Sequence, residues 1–236
     1  DMEKGSHYEI LIRLPRDDGS TVPPMAFIPA AERYNLMPAI DRWVVRSVLE
    51  FIAAHTIDTD VRYAINLSGQ SIGDAGLLEF ITEEFRQRKI PPQVVCFEVT
   101  ETAAIANLSQ AGKFITALRE IGCRFSLDDF GSGMSSLAYL KNLPVDSLKI
   151  DGAFVRDIVD DPVDYAMVNA INNIAHVMGI KTIAEFVENQ DILDRLKTIG
   201  VDYAQGYHIH KPEPLLPPRR TRYPVTRSEA SLNKGT

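Results

Sequence analysis

The stretch SLDDFGSGMSSL, residues 126–137, places two adjacent carboxylates, Asp128 and Asp129, between a short apolar run and a glycine turn. The apolar run is one of several predicted strands, and the acids stand where that strand ends. A single acidic residue after a strand is most often a helix cap or a solvated loop residue. The decision between a polar turn and an active site therefore depends on the residues at the ends of the other strands.

Seven short apolar runs alternate with segments whose apolar residues recur at three- and four-residue steps, a pattern typical of amphipathic helices. Alternating strands and helices over 236 residues predict a parallel sheet, whose closed form is the TIM-type (β/α)8 barrel. Seven strands are one too few, and we expect the missing one to belong before the abrupt amino terminus. The predicted strands are residues 8–14, 62–68, 94–100, 123–128, 147–151, 181–186 and 203–207.

The composition, with 45% hydrophobic and 24% charged residues, is that of a globular chain. A net charge of −7 argues against a nucleic-acid polymer or an anionic membrane as partner. The spacing of Cys96 and Cys123 suits neither a zinc knuckle nor a redox pair, so we expect a cytoplasmic setting. We predict a barrel over residues 1–214 and a proline-rich extension or linker over 215–236.

Polar side chains occur at or near the ends of the second to seventh predicted strands. Each one alone is explained by capping or solvation, but independent caps need not all lie on one side of a sheet. In α/β barrels the carboxyl ends of the strands form the active site. The residues concerned are Asn66, Glu98, Asp128, Asp129, Lys149, Asp151, Glu185, Glu188 and Gln205.

Glu9 is the exception, because it lies near the beginning of the predicted strand 8–14. To join the other polar residues at one rim, this strand must run antiparallel to the rest. If the strand is parallel, Glu9 lies at the opposite end of the barrel and the site loses one carboxylate.

Five carboxylates held close together would raise one another's pKa values and retain protons. Divalent cations remove this conflict, and an all-oxygen ligand set favours Mg²⁺ or Mn²⁺ over zinc. Two adjacent aspartates suit a bridged pair of ions, which at about 3.5–4 Å apart is the usual arrangement for phosphodiester hydrolysis. Lys149 adds a positive charge that orients a nucleophile or a phosphate. The five are Glu9, Glu98, Asp128, Asp129 and Glu185.

Seven motifs in this order resemble those of the EAL-domain family of cyclic-di-GMP phosphodiesterases, and the similarity runs from Tyr8 to Pro214. The motifs are EILIR (9–13), NLS (66–68), EVTE (98–101), DDFGSG (128–133), KID (149–151), AEFVE (184–188) and QGYHIHKP (205–212). The resemblance implies a modified barrel with one antiparallel strand and hydrolysis of cyclic-di-GMP to linear pGpG with two Mg²⁺ or Mn²⁺ ions, which Ca²⁺ would inhibit.

The resemblance also implies a role for each matched residue. It makes Glu9, Asn66, Glu98 and Asp128 ligands of the first ion, and Asp128 and Asp129 ligands of the second. Lys149 would fix the attacking water, and Glu185 would be the general base or an outer ligand. Glu101 would anchor the loop after Asp129. Contacts to the dinucleotide or its water are implied for Arg13, Asp151, Glu188 and Gln205.

Three departures from the family pattern stand out. Ile10 replaces the motif alanine, Phe186 replaces a usual glycine beside Glu185, and the family's strand before Glu9 is missing. An alternative is a silent cyclic-di-GMP receptor, but such members usually lose metal ligands or the lysine, and all are present here. A barrel enzyme with an unrelated substrate explains the carboxylates but not the full motif set. By resemblance we also expect a homodimer within a larger multidomain protein of bacterial second-messenger signalling and biofilm control.

Overall fold

The computed structural model describes residues 6–55, 59–132 and 137–215. Seven parallel strands form one sheet, in which each strand pairs with the next one of the sheet in chain order. A separate antiparallel hairpin of two short strands, β2 and β3, follows the first strand. The strands are β1 (Ser6–Ile10), β2 (Leu14–Pro15), β3 (Thr21–Val22), β4 (Val61–Asn66), β5 (Val95–Thr100), β6 (Arg124–Phe130), β7 (Ser147–Ile150), β8 (Lys181–Ala184) and β9 (Tyr203–Ala204).

α-Helices lie in the connections between the parallel strands, except between β6 and β7, where the described residues form a 3-10 helix, Leu137–Asn142. Several begin at a side-chain cap of the expected kind: Asp161 caps α8 and Asn189 caps α9. The helices are α1 (Pro24–Arg33), α2 (Met37–Ala53), α3 (Gly69–Ile72), α4 (Ala75–Arg88), α5 (Glu101–Ala106), α6 (Leu108–Glu120), α7 (Gly152–Val155), α8 (Pro162–Val177) and α9 (Gln190–Ile199).

The hydrophobic core lies between the outer face of the sheet and these helices. Phe97, Phe125 and Leu148 project outward from three neighbouring strands and are fully buried. They belong to one cluster with helix residues such as Leu49 and Leu118. Burying a side chain of this size contributes about 1.5–3 kcal/mol, so this layer holds the sheet in shape. Since strand side chains alternate, the residues between these apolar ones face the inside of the sheet.

The sheet curls so that its first and last strands approach each other. The order of the sheet is β1-β4-β5-β6-β7-β8-β9, with β1 and β9 at its edges among the described residues. Across this seam, Gln205 Nε2 lies 2.5 Å from Glu9 Oε2. The predicted fold class, a mostly parallel α/β barrel, is confirmed, and all seven predicted strands are present within a few residues of their expected bounds.

The predicted direction of the first strand is wrong. β1 pairs in parallel with β4, with Glu9 opposite Ala64. Antiparallel pairing is present only in the separate hairpin among the described strands. The expectation that a parallel β1 would carry Glu9 away from the site is also wrong. The strand begins at Ser6 and ends at Ile10, earlier than predicted, so Glu9 is near its carboxyl end.

Two aspartates stabilise the amino-terminal ends of the strands, on the side of the barrel opposite their carboxyl ends. Asp146 accepts hydrogen bonds from Arg124 and from the backbone N–H of Phe125. Asp202 accepts hydrogen bonds from Lys181 and from the backbone N–H of Thr182. Each aspartate precedes its own strand and binds the start of the preceding strand, which fixes the register of neighbours. Their position in the barrel indicates a stabilising role.

The described residues contain no helix that combines the length and the apolar character needed to cross a bilayer. The predicted extension over 215–236 lies outside the described residues, except for residue 215. Its role remains a prediction.

Candidate active site

Lys149 occupies the centre of a buried ring of carboxylates at the carboxyl ends of the strands. Its ammonium nitrogen is 2.8 Å from Glu185 Oε1 and 3.0 Å from Asp128 Oδ1. It is also 3.2 Å from Glu98 Oε2 and 3.4 Å from Glu9 Oε2. Only 1% of the lysine side chain is exposed, so water does not screen these contacts. The four carboxylates come from β1, β5, β6 and the residue directly after β8, and converge on one volume.

Glu9 is held by side chains from both of its neighbours in the curled sheet. Asn66, at the end of β4, donates a hydrogen bond of 2.8 Å to Glu9 Oε1. Gln205, just after β9, donates to Glu9 Oε2. Burial would raise the pKa of Glu9, but the attraction of Lys149 and these hydrogen bonds outweigh it and leave the pKa below its ordinary value. Glu9 therefore stays ionised.

A bulge in β6 brings both aspartates of the opening stretch to the site. Leu127 pairs with Leu148 and Phe130 with Ile150, so Asp128 and Asp129 together stand opposite the single residue Lys149. Asp129 adopts a left-handed backbone with φ of 53°. Successive strand residues normally point to opposite faces, and an extra residue in one strand breaks that alternation. Ligand oxygens of Asp128, Asp129 and Glu185 accordingly lie within 4.8 Å of one another.

One lysine cannot neutralise five carboxylates. Burial raises the pKa of Glu98. The attraction of Lys149 opposes this rise, whereas the negative charges of Glu9 and Asp128 add to it. Burial likewise raises the pKa of Glu185 to about 7. The attraction of Lys149 lowers this pKa, and repulsion from Asp128 raises it. The pKa of Asp129 is raised by burial and by its neighbour Asp128. Without further cations, part of the cluster holds protons.

The residues at this site fit divalent metal ions. Asp128 Oδ1 is buried and, among the described residues, has no hydrogen-bond partner, although it lies near Lys149. Its contact with Lys149 is thus an ion pair without a hydrogen bond, and such an oxygen inside an acidic cluster can also bind a metal ion. The donors are carboxylates and one amide, which favours hard cations. We therefore regard the cluster as able to bind metal ions; the assignment of each ligand stays a prediction.

Glu101 lies next to the bulge in β6 and contacts the residues on either side of the loop that follows it. Its carboxylate accepts a 2.9 Å hydrogen bond from the N–H of Gly131 and one of 2.6 Å from the hydroxyl of Tyr139. Both oxygens of this buried side chain are thus used. The predicted loop between these contacts lies in part, at residues 133–136, outside the described residues.

The predicted substrate residues are arranged unequally around the cluster. Asp151 follows β7 and caps α7 through the N–H of Ala153, and its charge contributes to the raised pKa of Asp129. Glu188 is exposed beyond β8. Arg13 is exposed too, and its guanidinium donates to the carbonyl of Ile12. Asn66 and Gln205 contact the carboxylate ring through Glu9. Among the described residues, Arg13 and Glu188 make no such contact.

Phe186, which replaces a glycine of the family pattern, retains a left-handed backbone with φ of 53°. Its ring packs against Gly152 at the start of α7, and the guanidinium of Arg156 lies 4.3 Å from the ring centroid. An aromatic ring thus lies between the end of β8 and the start of α7, directly after Glu185. Sequence reasoning missed His7, Cys96 and Tyr139, which face the inside of the barrel or the Glu101 carboxylate.

Comparison with known proteins agrees with the motifs. The EAL domain family matches residues 1–212. The chain is 47% identical over 213 residues to the cyclic di-GMP phosphodiesterase PdeB of Shewanella oneidensis, covering 90% of this chain and 25% of that protein. It is 38% identical to the cyclic di-GMP phosphodiesterase PdeF of Escherichia coli, covering 89% and 28%. The chain therefore spans about a quarter of the length of these relatives.

Solved structures show the same architecture. The EAL domain of FimX from Pseudomonas aeruginosa, bound to c-di-GMP, superimposes with a TM-score of 0.83 at 30% identity, covering 89% of this chain and 85% of that one. The PaMucR phosphodiesterase in complex with c-di-GMP gives 0.81 at 31% identity, covering 87% and 84%. The strand-end carboxylates, the family match and these folds together lead to one conclusion: the chain belongs to the EAL domain family.

Proposed function

We propose that this chain is a metal-dependent phosphodiesterase that hydrolyses cyclic-di-GMP to linear pGpG. The observation that carries the proposal is the single buried lysine surrounded by Glu9, Glu98, Asp128 and Glu185, with Asp129 added by the bulge. A silent receptor has no need of this surplus of buried negative charge, which destabilises a metal-free fold. The names of the relatives support the substrate.

Two ions, Mg²⁺ or Mn²⁺, would be held by the oxygens of Glu9, Asn66, Glu98 and Asp128 and by those of Asp128 and Asp129. When bound, such ions activate water and stabilise the charge that develops on the phosphate. Asp128 is the shared ligand in this assignment. Its Oδ1, which pairs with Lys149 but makes no hydrogen bond among the described residues, supports that role. Ca²⁺, which prefers more ligands at longer distances, is expected to inhibit.

Lys149 orients the attacking water, and Glu185 acts on it as the general base. Lys149 keeps its proton, since the surrounding carboxylates raise its pKa well above the ordinary value although burial opposes this. It therefore serves as a fixed hydrogen-bond donor. Glu185, with a pKa raised to about 7 by burial, suits a general base at neutral pH. Gln205 keeps Glu9 oriented, while Arg13, Asp151 and Glu188 are the proposed contacts to the dinucleotide.

We also propose the oligomeric state of this domain, its location and the kind of protein to which it belongs. The barrel over 1–214 would act as a dimeric, cytoplasmic domain of a larger signalling protein, and the short coverage of the relatives' lengths supports the last point. The predicted absence of nucleic-acid and membrane contact follows from the net charge of −7.

Turnover of cyclic-di-GMP with Mg²⁺, followed by chromatographic detection of pGpG, tests the proposal. The unmutated chain should produce pGpG, and Glu9→Ala should reduce turnover by at least about a hundredfold because it removes a ligand and two anchoring hydrogen bonds. The matched control Glu79→Ala, on the exposed face of α4, should leave turnover unchanged. Binding of cyclic-di-GMP without turnover in the unmutated chain would favour the receptor instead.

A further inference from the structure

A second group of metal-ligating side chains lies inside the barrel, directly below the carboxylate ring. A nitrogen of His7, the thiol sulfur of Cys96 and a carboxylate oxygen of Glu98 lie within 4.8 Å of one another. His7 belongs to β1, whereas Cys96 and Glu98 belong to β5. The convergence is therefore tertiary and does not follow from sequence spacing.

The strand between them explains how these groups meet. β4 separates β1 from β5, and at this level it carries Ala64, which pairs with Cys96 on one side and with Glu9 on the other. Ala64 lies two residues before Asn66, so both side chains face inward. His7 itself pairs with Arg62, two residues before Ala64, and because alanine is small the His7 side chain reaches Cys96 diagonally across β4.

We propose that His7, Cys96 and Glu98 form a binding site for a thiophilic divalent cation such as Zn²⁺. Imidazole nitrogen, thiolate sulfur and carboxylate oxygen are the three ligand types of protein zinc sites, and a thiolate discriminates strongly against Mg²⁺. The site is distinct in chemistry from the all-oxygen ring above it. The two share a single residue, Glu98.

The three ligands lie between opposite charges: Lys149 and Arg62 are positive, and Glu98 and Glu9 are negative. Cys96 and Glu98 are almost fully buried, with 2% and 1% exposure, which makes the site rigid and dry. Ser126 pairs with Glu98 in the next strand, is fully buried, and has a hydroxyl oxygen without a hydrogen-bond partner among the described residues. That oxygen is available to a fourth ligand, such as a bound water. His7, on the exposed edge strand, gives the ion a path from solvent.

The shared carboxylate links the two sites. If Glu98 turns toward a cation at His7 and Cys96, it leaves Lys149, from which its Oε2 lies 3.2 Å away. A thiophilic ion would then compete with the hard-ion site for one ligand. This consequence rests on the proposed function, whereas the binding site itself does not.

Cobalt(II) titration of the full chain in excess Mg²⁺ tests the site, because a cobalt–thiolate bond gives a sulfur-to-metal charge-transfer absorption that oxygen ligands do not produce. The unmutated chain should develop this band at one equivalent, and added Zn²⁺ should remove it. Cys96→Ala should abolish the band. Cys123→Ala is the matched control, since Cys123 is equally buried at 3% exposure but lies outside the cluster, and it should leave the band intact.

His7→Gln provides a second test at an exposed position, where the substitution does not disturb the core. Loss of this ligand should weaken cobalt binding by about tenfold or more. Absence of the band in the unmutated chain, its persistence in Cys96→Ala, or unchanged affinity in His7→Gln would overturn the proposal. If Cys96→Ala fails to fold, as judged by circular dichroism, the affinity of His7→Gln decides. The band does not depend on turnover, so a chain that binds cobalt but leaves cyclic-di-GMP intact would refute only the proposed function.

Discussion

The ring of Phe186 fills the space in which a side chain at residue 152 would lie: a Cβ atom added to Gly152 would overlap the ring. Phe186 directly follows Glu185, and its left-handed backbone is a conformation that non-glycine residues seldom adopt. Arg156, the residue directly after α7, places its guanidinium over the ring. The end of β8 is thus fastened to the start of α7 by an aromatic contact next to the proposed general base.

The contact between these residues should appear as a strong energetic coupling. Gly152→Ala should destabilise the protein by about 1–3 kcal/mol, because the new methyl group displaces the ring. Phe186→Gly makes room for that methyl group and relieves the left-handed strain, so adding it to Gly152→Ala should restore at least about 1 kcal/mol. Urea unfolding of both single variants and the double variant measures this coupling. Additive effects would show that the ring and residue 152 do not constrain each other.

Asp128→Asn should remove metal binding and turnover together while the barrel stays folded. The substitution keeps the shape of the side chain but removes its charge and replaces one of its two carboxylate oxygens with an amide nitrogen, which cannot bind a metal ion. Because the cluster has an excess of negative charge, the metal-free variant should be at least as stable as the unmutated chain. Calorimetric titration with Mn²⁺, thermal unfolding and turnover give the three readouts. Asp160→Asn, at an exposed position, serves as the control.

The metal-free chain should lose stability as the pH rises toward neutrality. The carboxyl of Glu185 has an ordinary pKa of 4.5 and a pKa of about 7 in the folded chain, so the folded state binds more protons between these values. The free energy of unfolding then decreases with increasing pH: this contribution is fully present below 4.5 and lost through about 7. Glu98 shifts in the same direction. Thermal unfolding in a chelator measures the slope, which Glu185→Gln should reduce.

Lys149→Met should destabilise the metal-free chain by about 3–5 kcal/mol, because it leaves four carboxylates, three of them buried, without their cation. The loss should be smaller in acid, where the carboxyls are protonated, and Mg²⁺ should restore part of it. Turnover should be abolished under all conditions, since the proposed donor to the attacking water is gone. The exposed Lys113→Met is the control for removal of one positive charge. Equal stability of Lys149→Met and Lys113→Met would contradict the central role of the buried lysine.

Tyr139→Phe should cost about 1–3 kcal/mol, because it leaves a buried oxygen of Glu101 without a donor. The tyrosine hydroxyl remains protonated at all ordinary pH values, since burial and the hydrogen bond to Glu101 raise its pKa well above its usual range. If Glu101 anchors the loop after Asp129, turnover should fall as well, through kcat more than KM. Denaturant unfolding and steady-state kinetics test both effects. Tyr34→Phe, whose ring is 69% exposed, is the matched control.

Much of the architecture could be predicted from sequence because its signals are local. Six of the seven parallel strands are short apolar runs with a polar residue at or near their carboxyl end, and the helices between have clear amphipathic patterns. These signals were sufficient for the seven strands and for the shared rim of Asn66, Glu98, Lys149 and Glu185. Glu98 and Glu185 meet at the ammonium of Lys149, and Asn66 joins them through Glu9, because parallel strands place their carboxyl ends on one side of the barrel.

Other features depend on pairing and curvature, which local patterns do not encode. The direction of β1 was inferred wrongly because the apolar pattern continues through Leu11 and Ile12 after the strand has ended at Ile10. The proximity of His7 and Cys96 depends on the small side chain between them on β4. The packing of Phe186 on Gly152 depends on how β8 meets α7. None of these has a signal within its own stretch of sequence.

The bulge at Asp128 and Asp129 has a consequence for protein engineering. Two neighbouring residues of one strand can serve one centre only because the chain carries one residue more than its partner strand at that point. A graft of these side chains onto a regular parallel sheet would therefore turn one aspartate away from the other. Transplanting the site means copying an insertion and its left-handed turn, together with the acids they present.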